Sequence, residues 1–229
     1  MPSISVILTK SRIALYYSAL GVILTIKEGM AMQRVGILGG TFDPIHFAHL
    51  AIAEEARVVL GLSQVVFIPT AQQPLKQQHF SSAYQRLAMT KLAIADNPAF
   101  SVSTIEVERS GVSYTIDTIQ TLHQDQPHIE WWLIVGSDSL ATLSRWHAAH
   151  DLVQLAHFAI LERPGFELDW PALLDQFPEL AKRSVRIQGP RMDLSATELR
   201  SRLQAGLPVR YLVPDAVASY IAQQQLYLA

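Results

Sequence analysis

A short apolar run that ends in two glycines and leads into a helical pattern is the feature that most constrains this chain. The apolar run covers residues 35–38, the glycines are Gly39 and Gly40, and the helical pattern covers residues 49–60. This junction favours an α/β fold, in which a buried strand precedes a helix whose N-terminus presents free N–H groups. Such an N-terminus attracts anions, and glycine lets a ligand approach the backbone. The junction therefore predicts a phosphate-binding site.

Two histidines belong to the first turn of that predicted helix. His46 and His49 are three residues apart, so their side chains fall on one helix face. A glycine pair alone is typical of a tight turn, and a single histidine near a helix start is an ordinary polar residue. The two histidines together, after Gly-Gly-Thr-Phe-Asp, instead predict imidazole groups that act jointly on a phosphate.

Short apolar runs alternate with helical patterns along the rest of the chain. The runs predict strands at residues 35–38, 64–69, 100–107, 131–135, 157–161 and 185–187. The helical patterns cover residues 49–60, 84–95, 115–124, 196–205 and 215–224. This alternation predicts a Rossmann-like, doubly wound parallel sheet in a single domain with C-terminal helices. The loops after the strands then meet at one edge of the sheet, where ligands bind.

Charge and cysteine content exclude several classes of function. The chain has 18 Lys and Arg residues against 20 Asp and Glu residues, a formal net charge of −2. A nucleic-acid-binding protein usually carries a basic surplus, so we expect no nucleic-acid partner and a phosphate held by a few local groups. Because the chain has no cysteine, it contains no disulfide, no thiolate metal site and no cysteine nucleophile.

The first residues are predicted to be an extension, residues 1–31, that precedes a domain at residues 32–229. Residues 13–26 are nearly all apolar, but a membrane-spanning helix needs about 20 such residues, and we expect no membrane contact for the domain. No small-residue cleavage site follows, as a signal peptide requires. Met30 and Met32 lie just before the first predicted strand. Three hypotheses could explain residues 1–31. A start codon assigned upstream in error is favoured over a membrane-associating leader, and a signal peptide is least favoured.

Two separated motifs resemble the signatures of the nucleotidyltransferase superfamily. Residues 40–44 (Gly-Thr-Phe-Asp-Pro) and 46–49 (His-Phe-Ala-His) are similar to its first signature, which ends in His-x-Gly-His. Residues 194–200 (Leu-Ser-Ala-Thr-Glu-Leu-Arg) are similar to its second, Ile-Ser-Ser/Ala-Thr-x-Ile-Arg. Residues 32–229 as a whole resemble the bacterial nicotinate-nucleotide adenylyltransferases, for example in Ser-Tyr-Thr at 113–115 and Arg-Trp at 145–146. The chain departs from the family at Ala48, where the family has glycine.

The resemblance implies a cytoplasmic enzyme of NAD biosynthesis. It would transfer the adenylyl group of ATP to nicotinate mononucleotide and release pyrophosphate. The acceptor phosphate would attack the α-phosphorus in line, so that no covalent enzyme intermediate is needed. The resemblance also implies Mg²⁺, which binds mainly to phosphates and water and needs no carboxylate cage from the protein. It leaves the oligomeric state open, with a homo-oligomer among the alternatives.

The implied ATP site consists of residues that follow strands or begin a helix at the ligand-binding edge of the sheet. They are Gly39, Gly40, Thr41, Phe42, Gly136, Asp138, Ser195, Thr197 and Arg200. Arg200, together with His46 and His49, is implied to be catalytic, because these side chains would stabilise the charge that grows on the transferred phosphate.

The implied acceptor site lies on other loops and comprises Lys76, Tyr114, Thr115, Trp146 and Arg163. Lys76 would hold the acceptor phosphate. Backbone N–H groups of Tyr114 and Thr115 would hold the pyridine carboxylate at a helix start, where an anion is favoured. Trp146 would stack on the pyridine ring or be a core aromatic residue, and Arg163 would reach the nucleotide or pair with a surface acid. Asp138 would accept from a ribose hydroxyl or an amide, or act as the N-cap of a helix at residues 139–143.

Three rival functions are considered. A dinucleotide-binding dehydrogenase needs Gly-x-Gly-x-x-Gly after the first strand and an acid at the end of the second. The first strand here ends in Gly-Gly-Thr-Phe-Asp and the second in residues 69–72 (Pro-Thr-Ala-Gln), so both requirements fail. A phosphopantetheine adenylyltransferase shares the first signature but lacks the Ser-Tyr-Thr and Arg-Trp stretches. A non-catalytic nucleotide-binding module of the same fold is the third alternative, and Ala48 favours it.

Overall fold

The computed structural model of the chain describes residues 4–9, 12–17, 22–26, 32–72, 80–109, 111–163 and 165–228. The chain divides into two compact units, residues 1–33 and 34–229. In the first unit three strands form an antiparallel sheet: β1 (Ile4–Thr9), β2 (Arg12–Tyr17) and β3 (Val22–Ile26). No helix within the described ranges is both long and apolar enough to span a membrane. A start assigned in error within residues 1–31 stays a prediction.

The six remaining strands form one parallel sheet. They are β4 (Gln33–Gly40), β5 (Gln64–Pro69), β6 (Phe100–Val102), β7 (Ile129–Gly136), β8 (His157–Glu162) and β9 (Ser184–Gln188). Their spatial order is β6-β5-β4-β7-β8-β9. The order reverses between β4 and β7, and such a switch point opens a crevice at the carboxyl ends of the strands. The predicted doubly wound parallel sheet is confirmed.

Helices cover both faces of this sheet. In chain order they are α1 (Phe47–Leu60), α2 (Ala83–Ile94), α3 (Ile105–Glu108), α4 (Thr115–Asp125), α5 (Ser137–Leu140), α6 (Ala149–Leu155), α7 (Trp170–Gln176), α8 (Leu180–Arg183), α9 (Ala196–Gln204) and α10 (Asp215–Gln223). One apolar core joins buried residues of α1, α2, α9 and α10 to one face of the sheet, and a second joins those of α4, α6, α7 and α8 to the other. Successive residues of β4 pack into opposite cores, because side chains alternate across a strand. Ile37 packs into the second core and Leu38 into the first.

The segment after β6 differs from the sequence prediction. A strand was predicted over residues 100–107, but β6 ends at Val102 and residues 105–108 form the short helix α3. The Ser103 hydroxyl accepts from the Ile105 N–H at 3.3 Å, and the Thr104 carbonyl accepts from the Glu108 N–H at 2.9 Å. A Ser side chain that bonds to nearby backbone, as Ser103 does, competes with a sheet ladder in this way. Helix α5 overlaps the helix at residues 139–143 that was one alternative for Asp138, and α6 to α8 were missed, since four to seven residues are too few to show a helical period.

Candidate functional site

The last two residues of β4 and the loop that leads to α1, residues 39–46, are called the nucleotide loop. Its two glycines are needed for different reasons. A Cβ atom at Gly40 would lie 2.8 Å from Cε1 of Phe42, so this glycine makes room for a buried ring. A Cβ atom at Gly39 would meet no heavy atom within 4 Å, so the exposed backbone of Gly39 is open to a ligand. The Gly40 carbonyl accepts from the Thr70 N–H at 2.9 Å, which joins this loop to the end of β5.

The structure places His46 and His49 against each other at the start of α1. Their rings stack with centroids 3.8 Å apart and an interplanar angle of 29°. His46 is the N-cap residue in an extended conformation, and its N–H donates to Nδ1 of His49 at 3.3 Å. The ring of Phe42 meets His49 edge-on at 5.1 Å. Both imidazoles therefore have their orientation set by packing and by the backbone.

Burial keeps both imidazoles neutral. His46 is 4% exposed, and desolvation lowers its pKa from 6.5 to about 4. Desolvation and then repulsion from His46 lower the pKa of His49 well below 6.5. Because His49 Nδ1 accepts a hydrogen bond, we assign its proton to Nε2, which leaves that N–H available to a ligand. At neutral pH each ring thus offers one donor rather than a full charge.

Asp43 joins the nucleotide loop to two distant parts of the chain. It is 3% exposed, and its Oδ1 accepts from the hydroxyls of Ser81 (2.5 Å) and Tyr227 (2.6 Å). Its Oδ2 accepts from the Phe80 N–H at 2.9 Å. Burial, then the Asp43 charge, raise the pKa of Tyr227, so its hydroxyl remains a donor. The sequence marked Asp43 only as part of a motif, and its partners are too far along the chain to leave a local signal.

Arg200 brings the second sequence motif to the first. Its Nη1 donates to the Asp43 carbonyl at 2.7 Å, and its Nη2 donates to the Thr197 hydroxyl at 3.2 Å. The guanidinium carbon lies 4.3 Å from the centroid of the Phe80 ring. The α9 N-cap is Ser195, whose hydroxyl accepts from the Glu198 N–H at 3.2 Å, as expected for this helix start. An arginine, a helix N-terminus and the histidine loop therefore lie close to one another.

Arg86 is a site residue that the sequence did not reveal. It is 0% exposed on α2, and its Nη1 donates to the Thr41 carbonyl at 2.7 Å. Its Nη2 donates to the Ala71 carbonyl at 3.1 Å. The sequence shows Arg86 only as a charged residue on the inward face of a predicted helix. This position does not reveal the groups that Arg86 contacts.

In the predicted acceptor site, Tyr114 lies against His147, the residue that follows Trp146. Tyr114 is the N-cap of α4, and Thr115 is the first residue of that helix, as predicted. The Tyr114 ring centroid lies 4.4 Å from that of His147, the residue after Trp146. Trp146 is half-buried, packs on the second core, and donates from Nε1 to the Thr142 hydroxyl at 3.3 Å. Its indole is therefore partly open to a ligand.

Asp138 and Arg163 pair with each other. Arg163 Nη1 lies 2.5 Å from Asp138 Oδ2, with side chains 56% and 36% exposed for arginine and aspartate. The alternative of Asp138 as a helix N-cap is wrong: Gly136 is the N-cap of α5, and Asp138 is inside its first turn. A Cβ atom at Gly136 would lie 2.5 Å from Asp138 Oδ1, so a larger residue at this position would displace the carboxylate from its present orientation. The contact of either side chain with a nucleotide stays a prediction.

Two further expectations concern Lys76 and metal binding. Lys76 lies outside the described residues, so its role stays a prediction. Within the described part of the chain, no cluster of three or more His, Asp or Glu residues could hold a metal ion. The site as described offers neutral imidazole donors, a guanidinium and helix N-termini. These groups can bind a phosphate chain and stabilise charge that develops on it.

Comparison with known proteins gives a consistent result. Residues 37–202 match the cytidylyltransferase-like family model. A protein of Roseiflexus sp. (strain RS-1) is 51% identical over 199 residues, which cover 86% of this chain and all of that protein. A protein of Saccharopolyspora erythraea is 43% identical over 197 residues, 85% of this chain and 90% of that protein. Both are named probable nicotinate-nucleotide adenylyltransferases.

A solved structure shares the fold. The nicotinic acid mononucleotide adenylyltransferase of Plasmodium falciparum, in complex with NaAD, superposes with a TM-score of 0.71. The match covers 85% of this chain and 97% of that chain, at 21% sequence identity. The sheet and its helices therefore have the same fold as that solved structure.

Proposed function

The chain belongs to the cytidylyltransferase-like family and, within it, to the nicotinate-nucleotide adenylyltransferases, and we propose that it transfers the adenylyl group of ATP to nicotinate mononucleotide. The products are nicotinate adenine dinucleotide and pyrophosphate, in a step of NAD biosynthesis. One observation supports this proposal above others. The stacked, neutral pair His46 and His49 lies at the start of α1, on the loop to which Arg200 binds.

The histidine pair acts on the α-phosphate of ATP. A phosphate oxygen of the acceptor attacks the α-phosphorus in line, a new P–O bond forms, and the bond to the bridging oxygen of pyrophosphate breaks. Negative charge grows on the oxygens of the transferred group, and the imidazole N–H groups of His46 and His49 donate to them. Because burial has already removed water from His46 and packing has set the orientation of both rings, little reorganisation is needed during the reaction.

Arg200, Ser195 and Thr197 hold the leaving pyrophosphate. The start of α9 presents N–H groups and the positive end of a helix dipole. Arg200 already spans Thr197 and the nucleotide loop, so its remaining donors can contact β- and γ-phosphate oxygens in a fork. Leaving-group charge and α-phosphate charge are in this way stabilised by two neighbouring groups of residues.

Mg²⁺ accompanies ATP in this proposal. The donors at the nucleotide loop are imidazole, guanidinium and hydroxyl groups, and both oxygens of the nearby carboxylate Asp43 are engaged by Phe80, Ser81 and Tyr227. This donor set fits an ion held by phosphate oxygens and water, which Mg²⁺ prefers in nucleotide sites. When bound, the ion neutralises charge on the triphosphate and makes pyrophosphate a better leaving group.

Acceptor selection falls to the other side of the site. Backbone N–H groups of Tyr114 and Thr115, at the start of α4, bind the pyridine carboxylate, because a helix N-terminus favours an anion. The half-exposed indole of Trp146 stacks on the pyridine ring. Lys76 pairs with the acceptor phosphate. A nicotinamide ring lacks the negative charge that the α4 terminus attracts, so nicotinate is preferred.

The proposal is tested by pyrophosphate release from ATP and Mg²⁺ by the full chain. Nicotinate mononucleotide, nicotinamide mononucleotide and phosphopantetheine are offered in parallel, with a His46→Ala variant as the control for contaminating activity. Release with nicotinate mononucleotide far above the other acceptors is expected. Faster pyrophosphate release with phosphopantetheine would show that nicotinate mononucleotide is not the acceptor. No release from a folded protein that still binds ATP would favour the non-catalytic module, with Ala48 as the first residue to replace.

A further inference from the structure

Arg86 connects two loops of the candidate site through their backbone carbonyls. Its guanidinium is fully buried and donates to the carbonyl of Thr41, in the nucleotide loop, at 2.7 Å. It also donates to the carbonyl of Ala71, just after β5, at 3.1 Å. The planar guanidinium has several donors in a rigid arrangement, so one side chain can hold two carbonyls at a set separation.

The nucleotide loop also holds the other end of the segment that joins β5 to α2. Asp43 accepts from the Phe80 N–H and from the Ser81 hydroxyl, just before α2 begins. Residues 41–43 therefore hold Ala71 on one side of this segment and residues 80–81 on the other. Two separate charged side chains, Arg86 and Asp43, make these connections, and both are buried.

Stability alone does not account for a charge at this position. Desolvation lowers the pKa of Arg86, and Asp43 and then Tyr227 raise it. A buried charge loses hydration, and apolar side chains of similar volume often serve stability as well or better. Within the described residues, Nε of Arg86 has no hydrogen-bond partner, so the guanidinium is not fully satisfied even here. The contacts that it does make are both to loops of the site, which points to a geometric role.

We propose that Arg86 is a positioning residue that, together with Asp43, fixes the nucleotide loop between Ala71 and residues 80–81. These contacts hold the loop that carries His46 in the position from which its imidazole donates to the α-phosphate of ATP. The inference rests on the proposed function, because it concerns how the donors of this loop are aligned with the phosphate that is transferred. Alignment acts on the chemical step, and a displacement of about 1 Å can cost roughly 10²-fold in rate. Loss of Arg86 should therefore lower kcat more than it weakens ATP binding.

The main test replaces Arg86 by Lys and by Met in the full chain. Arg86→Lys keeps a charge, but a point-like ammonium lacks the rigid fork that spans both carbonyls. Arg86→Met keeps an unbranched stem and removes charge and donors. We expect kcat to fall about 10-fold for Arg86→Lys and about 100-fold for Arg86→Met. The dissociation constant for ATP alone, measured by calorimetry, should stay within about threefold of the parent value.

A matched control separates positioning from general destabilisation. Thr90 is fully buried on the same helix, one turn from Arg86, and its hydroxyl donates only to the Arg86 carbonyl at 2.8 Å. Thr90→Val should lower the melting temperature and leave kcat unchanged. Turnover is normalised to the number of ATP sites found by calorimetry, so that unfolded protein does not count as slow enzyme.

The Ser81→Ala variant provides a second test of the positioning role if Arg86→Met fails to fold. It removes one bond between Asp43 and the far end of the segment without creating a large cavity. We expect kcat to fall about threefold, with ATP affinity unchanged. Combined with Arg86→Lys, it should cost less than the product of the two single losses, because both changes release the same nucleotide loop.

The outcomes are distinguishable from failure of the proposed function. If the parent protein does not adenylylate nicotinate mononucleotide, the function itself fails and the variants have no bearing on it. If the parent is active and folded Arg86→Lys keeps kcat within threefold, or if Thr90→Val loses as much kcat as Arg86→Lys, the positioning role is overturned. A rise in the ATP dissociation constant that matches the whole loss in kcat/KM would overturn it as well.

Discussion

The two sides of the site are built differently. On the nucleotide side, His46, Asp43 and Arg86 are at most 4% exposed, and hydrogen bonds reach the loop from α2, α9 and the C-terminal residues. On the acceptor side, Trp146 is half-buried, and Arg163 is more than half exposed in its pair with Asp138. These three side chains of the nucleotide side are buried and heavily bonded, whereas Trp146 and Arg163 are open to water.

This difference matches the work that each side would do. Charge that develops at phosphorus is stabilised best by donors that are already oriented and free of water. Recognition of an acceptor requires groups that exchange water or a weak surface partner for the ligand, and an exposed ion pair such as Asp138–Arg163 costs little to open. We therefore expect changes on the nucleotide side to act on kcat and changes on the acceptor side to act on KM.

The largest effect is expected for His46→Ala. Removing one donor to the transferred phosphate should lower kcat by about 10²-fold or more, with KM for both substrates changed far less. Steady-state kinetics with nicotinate mononucleotide, alongside a thermal melt to confirm folding, provide the measurement. A rate near that of the parent protein would show that His46 takes no part in the mechanism. It would also contradict the main difference between the two sides.

The next prediction concerns pH and tests whether the nucleotide side is dry. The pKa of His46 falls from 6.5 to about 4 on folding, so between these values the unfolded chain binds more protons. The buried, neutral His46 therefore contributes to the free energy of unfolding above pH 6.5. This contribution, at most about 3 kcal/mol, is lost as the pH falls toward 4. Urea unfolding across this range should be less pH-dependent for His46→Gln. An unchanged dependence would show that His46 is hydrated.

A smaller effect, on KM rather than on kcat, is expected for Trp146→Ala. Loss of the stacking surface should raise KM for the pyridine substrate about 10-fold and leave KM for ATP unchanged. Trp146→Phe is the matched control, since it keeps a ring and should recover most of the affinity. If KM for the acceptor does not move, Trp146 serves only the second core.

The smallest effect is expected for Ala48→Gly, which introduces the residue of the family signature. Ala48 lies in the first turn of α1, where glycine should cost up to about 1 kcal/mol of stability. KM for ATP should stay the same or fall by at most about threefold, because one methyl group is removed beside the nucleotide. A sharp rise in KM would mean that the nucleotide side of this chain has repacked around the alanine.

Local patterns account for what the sequence revealed. Helix α1 ends at Leu60, where Gly61 adopts a left-handed conformation with φ 61°, and the predicted end of this helix is confirmed. Strand β5 was predicted at its observed bounds, Gln64–Pro69, because a continuous apolar run followed by polar residues marks a buried strand. The motifs with His46 and Arg200 were visible because each lies within a few residues of a helix start.

The sequence by itself therefore determined the alternation of strands and helices, the glycine junction and the two family motifs, since each depends on neighbours within one or two helical turns. The tertiary structure decided what those motifs touch. Asp43 meets Tyr227 across 184 residues and Ser81 across 38, and Arg86 meets Thr41 across 45. Such contacts form only when the sheet brings its strand ends together, and hydrogen bonding between distant residues leaves no periodic pattern in the chain.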